Sequence, residues 1–298
     1  MRARILILLF VLLAGVVHAA GPRAVREQAE MSMLVTGMVL IDPEGRVTGW
    51  QIDQREKLPD YAANLVERSA PMWKFEPVLI DGQPRAMKAR MSLRLVAEKQ
   101  SDGDFRIAIG NGYFGRDALS EKERTALDRD GDSDAGQAAD SLRAIAMRPP
   151  GYPDTALQMG ARGTVYLIVR VGRDGAVEDV AVEQVNLRVV GNENQMQRIR
   201  DMLSKPAAAA ARRWTFRVPT VGESADQEYW LARVPVDYKF AGEKYQYGQW
   251  QAYIPGPYQR HPWQDDDADA SRGPDALADG GIYEVGKGLK LLTPLQEG

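Results

Sequence analysis

One order of local patterns occurs twice along this chain, and that repetition constrains the fold more than any other feature. In the second copy Val165, Leu167, Val169 and Val171 alternate with Thr164, Tyr166, Ile168 and Arg170, a period of two that predicts a half-buried strand. Gly172-Arg173-Asp174-Gly175 then supplies residues that tolerate positive φ, and the apolar stretch from Ala176 to Val185 completes a predicted hairpin. The first copy runs from Val35 to Asp42, turns through Asp42-Pro43-Glu44-Gly45, and returns from Arg46 to Asp53. Val177 is out of phase with Val180 and Val182, as Val47 is with Trp50 and Ile52, which predicts a β-bulge at one equivalent place in both return strands.

Each copy continues with a helix, predicted over Pro59 to Ala70 and over Pro206 to Arg213, where Pro206 suits a first helical turn and five alanines follow it. Each helix runs into an aromatic pair, Trp73-Lys74-Phe75 and Trp214-Thr215-Phe216, whose rings share one side of an extended segment. A long alternating strand closes each copy, through Met87, Ala89, Met91, Leu93 and Leu95 in the first and Trp230, Ala232, Val234, Val236 and Tyr238 in the second. Turn glycine and tryptophan lie 28 residues apart in the first copy and 39 in the second. The polar stretch Gly191 to Asp201 accounts for the difference and predicts a surface loop or an extra helical turn.

The expected fold class is therefore α+β, with two tandem units, each a small antiparallel three-stranded sheet in β-β-α-β order packed against a helix. The units span 34–97 and 147–240. Between them, 98–146 reads as a polar linker with one short helix at Ser120 to Asp128, where Ser120 and Glu123 fit a capping box. After Phe240, residues 241–298 read as a largely irregular tail, aromatic from Tyr245 to Trp263 and acidic from Asp265 onward.

The amino terminus bears on compartment. Arg2 and Arg4 precede an apolar run of thirteen residues, Ile5 to Val17, that ends in Val17-His18-Ala19-Ala20. A membrane-spanning helix needs about twenty apolar residues, so 1–20 reads as a cleavable signal peptide and the periplasm as the destination. An uncleaved inner-membrane anchor is the alternative.

Composition removes most chemistry. The chain has no cysteine and two histidines, which leaves no thiol nucleophile, no disulfide, and no histidine triad or multi-histidine metal site. A net charge of -3 gives no footprint for nucleic acid. Gly110-Asn111-Gly112-Tyr113-Phe114-Gly115 matches GxGxxG without a surrounding βαβ unit and reads as a glycine loop. Gly281 to Lys287 spells GxxxxGK, but Gly288 stands where a metal-binding hydroxyl belongs. Asp128, Asp130, Asp132 and Asp134 alternate as in a calcium loop, yet the sixth and twelfth positions hold Ser133 and Ala139. No catalytic residue, metal site or cofactor is expected, and the chain does not read as an enzyme.

Five elements of the second unit carry a resemblance. They are Arg148-Pro149-Pro150-Gly151-Tyr152-Pro153, the strand opening Gly163-Thr164-Val165, the turn Asp174-Gly175, the pair Trp214-Thr215-Phe216, and Val234-Pro235-Val236-Asp237-Tyr238. In that order they resemble the TonB carboxy-terminal domain family, and residues 34–96 resemble it more weakly, without the proline-tyrosine-proline approach. The resemblance implies a non-catalytic periplasmic domain that grips an extended peptide of an envelope protein or outer-membrane transporter. Strand addition at an exposed sheet edge is the physical means, and Pro235 suits an edge position. The expected contact residues are Tyr152, Pro153, Leu157, Gln158, Arg233, Pro235 and Asp237. Family members often carry glutamine where this chain has Leu157, with Gln158 beside it. The alternative is a membrane-anchored energy transducer that couples proton-motive force to receptor uptake, with inner-membrane proton-channel partners.

Overall fold

The computed structural model describes residues 21–80, 82–100, 104–115, 141–222, 224–243, 245–264, 274–277 and 281–296. The leader expected at residues 1–20, the helix expected at Ser120 to Asp128 and the alternating aspartates lie outside the described residues. The described chain is mixed α+β, with antiparallel sheets and few helices. Its first half contains α1 (Pro22–Glu27), β1 (Glu30–Ile41), β2 (Val47–Ile52), α2 (Asp60–Ser69), a ribbon of β3 (Leu79–Ile80) and β4 (Gln83–Pro84), β5 (Met87–Lys99) and β6 (Phe105–Gly115). The second half contains β7 (Arg143–Ala146), α3 (Asp154–Gln158), β8 (Gly163–Gly172), β9 (Val177–Leu187), α4 (Glu193–Ala211), β10 (Thr215–Arg217) and β11 (Tyr229–Tyr238). The tail adds β12 (Gln251–Tyr253) and β13 (Tyr283–Glu284).

In both halves the first strand of the hairpin is flanked by its return strand and by the long last strand. β1 lies between β2 and β5, and β8 lies between β9 and β11. The expected bulges are present at equivalent places. Leu40 pairs with Gly49 and Ile41 with Val47, leaving Thr48 extra, while Arg170 pairs with Asp179 and Val171 with Val177, leaving Glu178 extra. Each bulged residue is the third after its turn glycine. Those glycines, Gly45 and Gly175, have φ of 83° and 78°, and a Cβ on either would overlap the carbonyl oxygen of Phe75 or Phe216. Their own carbonyls accept the Phe75 and Phe216 N–H at 2.7 and 2.8 Å, so each turn is docked onto its aromatic segment.

The sheets are larger than the three strands expected of each. The first has five: β12 joins β1 at Glu30–Ser32, beside the place where β2 ends, and β6 covers the far side of β5. The second has four, in the order β13-β11-β8-β9. The stretch taken for a polar linker thus supplies a sheet strand, β6, and also β7, which pairs with β10. The GxGxxG match is not a loop but part of β6. Gly110 is the extra residue of a bulge there, because Arg94 pairs with Asn111 and Leu95 with Ile109. Phe114 anchors β6 edge-on to Trp73 and Phe75, at centroid distances of 5.1 and 4.9 Å.

Helix α4 also departs from expectation, since it starts at Glu193 and carries Pro206 inside it. Residues 193–201 of the Gly191–Asp201 stretch form its first half. Asn192 caps it in a capping box with Gln195, and Met196, Ile199, Leu203, Ala207, Ala210 and Ala211 form one buried stripe. An internal proline costs about 3 kcal/mol. Burying Met196, Ile199 and Leu203 at about 1.5–3 kcal/mol each offsets that, so packing overrides the local breaker.

The tail is likewise not an irregular appendage. Ile254 and Ile282 are buried in the core of the second half, whereas Tyr247, Trp250, Leu289, Leu291 and Leu295 pack against the core of the first. Trp73 Nε1 donates to the Leu295 carbonyl at 2.9 Å, Leu292 N–H donates to the Lys74 carbonyl at 2.7 Å, and Phe75 bridges to Leu291. The amino-terminal helix crosses over as well, since Val25 of α1 is buried with the second core.

Candidate functional site

Three of the residues expected to meet a partner, Arg233, Pro235 and Asp237, lie on β11. Its inward side pairs with β8 along the whole strand, Tyr229 against Gly172 through Tyr238 against Gly163. On the outward side β13 pairs with Ala232 and Arg233, and Val285 N–H donates to the Leu231 carbonyl at 2.8 Å. Backbone groups alternate between flanks in an antiparallel strand, so Leu231, Arg233, Pro235 and Asp237 all direct theirs outward. Pro235 therefore withholds no donor from the β8 ladder. Among the described residues, no strand continues β13 along Val234 to Tyr238.

The opposite flank of the sheet is also partly occupied. Leu187 and Ile254 exchange backbone hydrogen bonds of 3.0 and 2.7 Å, and Gln259 N–H donates to the Glu183 carbonyl at 2.8 Å. Both edges of the second sheet thus carry short pieces of the chain's own tail.

The side chains of the expected contact residues are largely committed to internal partners. Arg233 donates from Nε and Nη2 to both carboxylate oxygens of Glu183 at 2.6 Å, and the Glu183 side chain has no solvent exposure. Tyr258 Oη donates to the same carboxylate at 3.4 Å. Asp237 is ion-paired to Arg188, whose guanidinium also donates to Thr164 Oγ1 at 3.2 Å and the Tyr238 carbonyl at 3.0 Å. That guanidinium lies 4.8 Å from the Tyr245 ring centroid. Pro235 is buried.

Tyr152 and Pro153 belong to the approach segment, which the structure brings to the end of β11. Tyr152 packs edge-on to Tyr238 at 5.3 Å, stacks beside Phe240 at 6.4 Å, and donates its hydroxyl to the Ala161 carbonyl. Pro153 caps α3, on which Leu157 and Gln158 are both exposed. Trp214 is a packing residue: it is buried, and its indole donates to the Arg148 carbonyl at 2.9 Å.

Electrostatics follow this burial. The Tyr152, Tyr238 and Tyr245 hydroxyls are all held above the ordinary phenol range, chiefly because burial disfavours the phenolate. Burial also opposes ionisation of Glu243, but the Phe240 N–H and the Arg162 guanidinium outweigh it and keep that carboxyl below its usual range. Among the described residues no group of three or more His, Asp or Glu is disposed to hold a metal ion. A cavity of about 230 Å³ is lined by Arg94 and Ser32 from the first sheet, Thr164 from the second, Arg188 just after β9, and Tyr245 and Tyr253 from the tail.

No protein-family model, no curated protein and no solved structure matches the chain. The site rests on its geometry. No helix among the described residues is long and apolar enough to cross a membrane.

Several members of the site escaped the sequence reading, namely Glu183, Arg188, Tyr283 and Glu284. One signal was present for Glu183. The apolar positions step by two from Val180 to Val182 and then by three to Val185, and that break marks a second bulge, with Gln184 opposite Tyr166 and Val182 opposite Leu167. The extra residue is Glu183, which the bulge aims at Arg233. Nothing in the local pattern around Tyr283 and Glu284 announces a strand of two residues.

Proposed function

We propose that this chain is a non-catalytic periplasmic binding protein built from two units resembling the TonB carboxy-terminal domain. Its second unit docks an extended peptide of an envelope or outer-membrane transport partner as an added strand on the outward flank of β11. The observation that carries this reading is that β11 already accepts an added antiparallel strand there, β13, which among the described residues pairs with Ala232 and Arg233 of a ten-residue strand. Main-chain hydrogen bonding supplies affinity in such docking, and alternate side chains supply selectivity. Pro235 on the outward side fits an edge that must not pair permanently with a full strand. Tyr152, Leu157 and Gln158 then act from the approach segment, while Arg233 and Asp237 hold the sheet in shape through Glu183 and Arg188.

The test places a photo-crosslinking residue at Lys239, which is exposed at the end of β11, in the exported full chain. The expected adduct maps to an extended segment of an envelope protein, and that segment as a synthetic peptide slows amide exchange at Asp237. Adducts confined to a folded surface of the partner, with exchange at Asp237 unchanged by the peptide, would refute strand docking.

A further inference from the structure

The strand that already occupies the edge carries information about what the edge prefers. β13 is held by more than its two-residue register. Tyr283 is 1% exposed and packs edge-on to Tyr113 of β6 at a centroid distance of 5.2 Å. Ile282 is buried in the second core. Glu284 is 5% exposed. One of its oxygens accepts the Leu142 N–H at 3.2 Å, and the other is 3.1 Å from Lys287 Nζ. The surroundings of the edge therefore distinguish successive positions of an incoming strand. Opposite Arg233 they take a large ring, and opposite Ala232 they take a carboxylate. Side chains on alternate faces of a docked strand are what give such sites their selectivity.

Building on the docking reading above, we infer that Ile282-Tyr283-Glu284-Val285 is a resident copy of the ligand pattern. The partner is then an extended peptide with an aromatic residue directly followed by an acidic one, flanked by aliphatic residues, and it competes with the chain's own segment for β11. Two features make the exchange physically reasonable. The resident strand spans two residues, so few backbone bonds must break, and among the described residues no strand pairs with the outward backbone of Pro235 and Asp237. An incoming strand that continues along Val234 to Tyr238 gains hydrogen bonds that β13 does not make. Meanwhile residues 289–296 remain fixed to Trp73, Lys74 and Phe75. The displaced segment stays tethered close by, and its high effective concentration sets the threshold a partner must exceed.

The test uses the full-length chain, whose lack of cysteine permits a clean disulfide lock. Leu231 and Val285 share a hydrogen bond, so the next pair, Ala232 and Glu284, is a non-hydrogen-bonded pair. Such pairs have Cα atoms about 4.5 Å apart, within the range a disulfide spans. The Ala232→Cys, Glu284→Cys chain lacks the resident acid; it is held closed by the disulfide when oxidised and is released when reduced. The probe is a fluorescent peptide of residues 281–288. The reduced chain and a separate Tyr283→Ala chain are expected to bind it at least tenfold more tightly than the wild type, and the oxidised chain not at all. Replacing the peptide's tyrosine by alanine, or its glutamate by lysine, is expected to weaken binding to the Tyr283→Ala chain at least tenfold. If scrambled or charge-reversed peptides protect β11 amides as well as the native one, strand docking stands and the ligand pattern is overturned. If no peptide protects those amides in either opened chain, the docking reading falls with it.

Discussion

Replacing Arg233 by methionine tests whether the contact between β11 and the bulge in β9 is structural. The substitution removes two hydrogen bonds of 2.6 Å from a carboxylate with no solvent exposure, and leaves Glu183 only the 3.4 Å bond from Tyr258. Breaking a buried pair by deleting one partner typically costs about 3–5 kcal/mol, because the remaining charge keeps its desolvation penalty. The same principle predicts recovery when both charges go. The Glu183→Met, Arg233→Met chain should return to within about 1 kcal/mol of the wild type, since apolar pairs of similar volume replace buried ion pairs at little net cost. Urea unfolding followed by tryptophan fluorescence, to which the buried Trp73, Trp214 and Trp230 contribute, measures both. A change in midpoint at constant m reports stability, and the double-mutant cycle isolates the pair. A loss below about 1 kcal/mol for Arg233→Met, the value of an exposed ion pair, would show that solvent reaches Glu183 and would refute the sealed arrangement of tail over sheet.

Three further outcomes are expected. Gly175→Ala and Gly45→Ala each force a side chain into positive φ and against a phenylalanine carbonyl; thermal unfolding should show a loss of about 2 kcal/mol or more for each. Asn192→Ala removes the cap that accepts the Gln195 N–H at 2.9 Å, and helix stability measured by urea unfolding should fall by about 1 kcal/mol. His261 is buried, and burial lowers its imidazole below the ordinary value of 6.5. The unfolded chain therefore binds more protons than the folded one from 6.5 down to the lowered folded value, so stability falls as pH drops through that window. Glu183 favours the protonated form, while Arg233 and Arg260 oppose it. His261→Gln should flatten this part of the pH–stability curve relative to wild type, and an unchanged slope would contradict the assignment.

The regular parts of the fold were legible wherever a long element met one environment. The run from Gly163 to Val171 becomes the strand β8, although it is buried on both faces and not half-buried as its alternation suggests, and the phase slips at Val47 and Val177 survive as the bulges at Thr48 and Glu178. Reading failed where a tertiary contact decided the outcome. Pro206 suggested a helix start, but the stripe from Met196 to Ala211 runs through it. The glycines between Ile109 and Phe114 suggested a loop, although pairing with β5 makes that segment a strand. Arg233 and Asp237 read as partner contacts because the residues that engage them, Glu183 and Arg188, lie 50 and 49 residues away. Strands as short as β12 and β13 have no period to detect.

Because β1 takes Gln251–Tyr253 at one end and β11 takes Tyr283–Glu284 on its outer flank, each sheet is completed only by residues far along the sequence from its other strands. Long-range closure of this kind delays folding relative to synthesis. A nascent chain that has not yet reached residue 284 therefore holds the second sheet with the outer flank of β11 open.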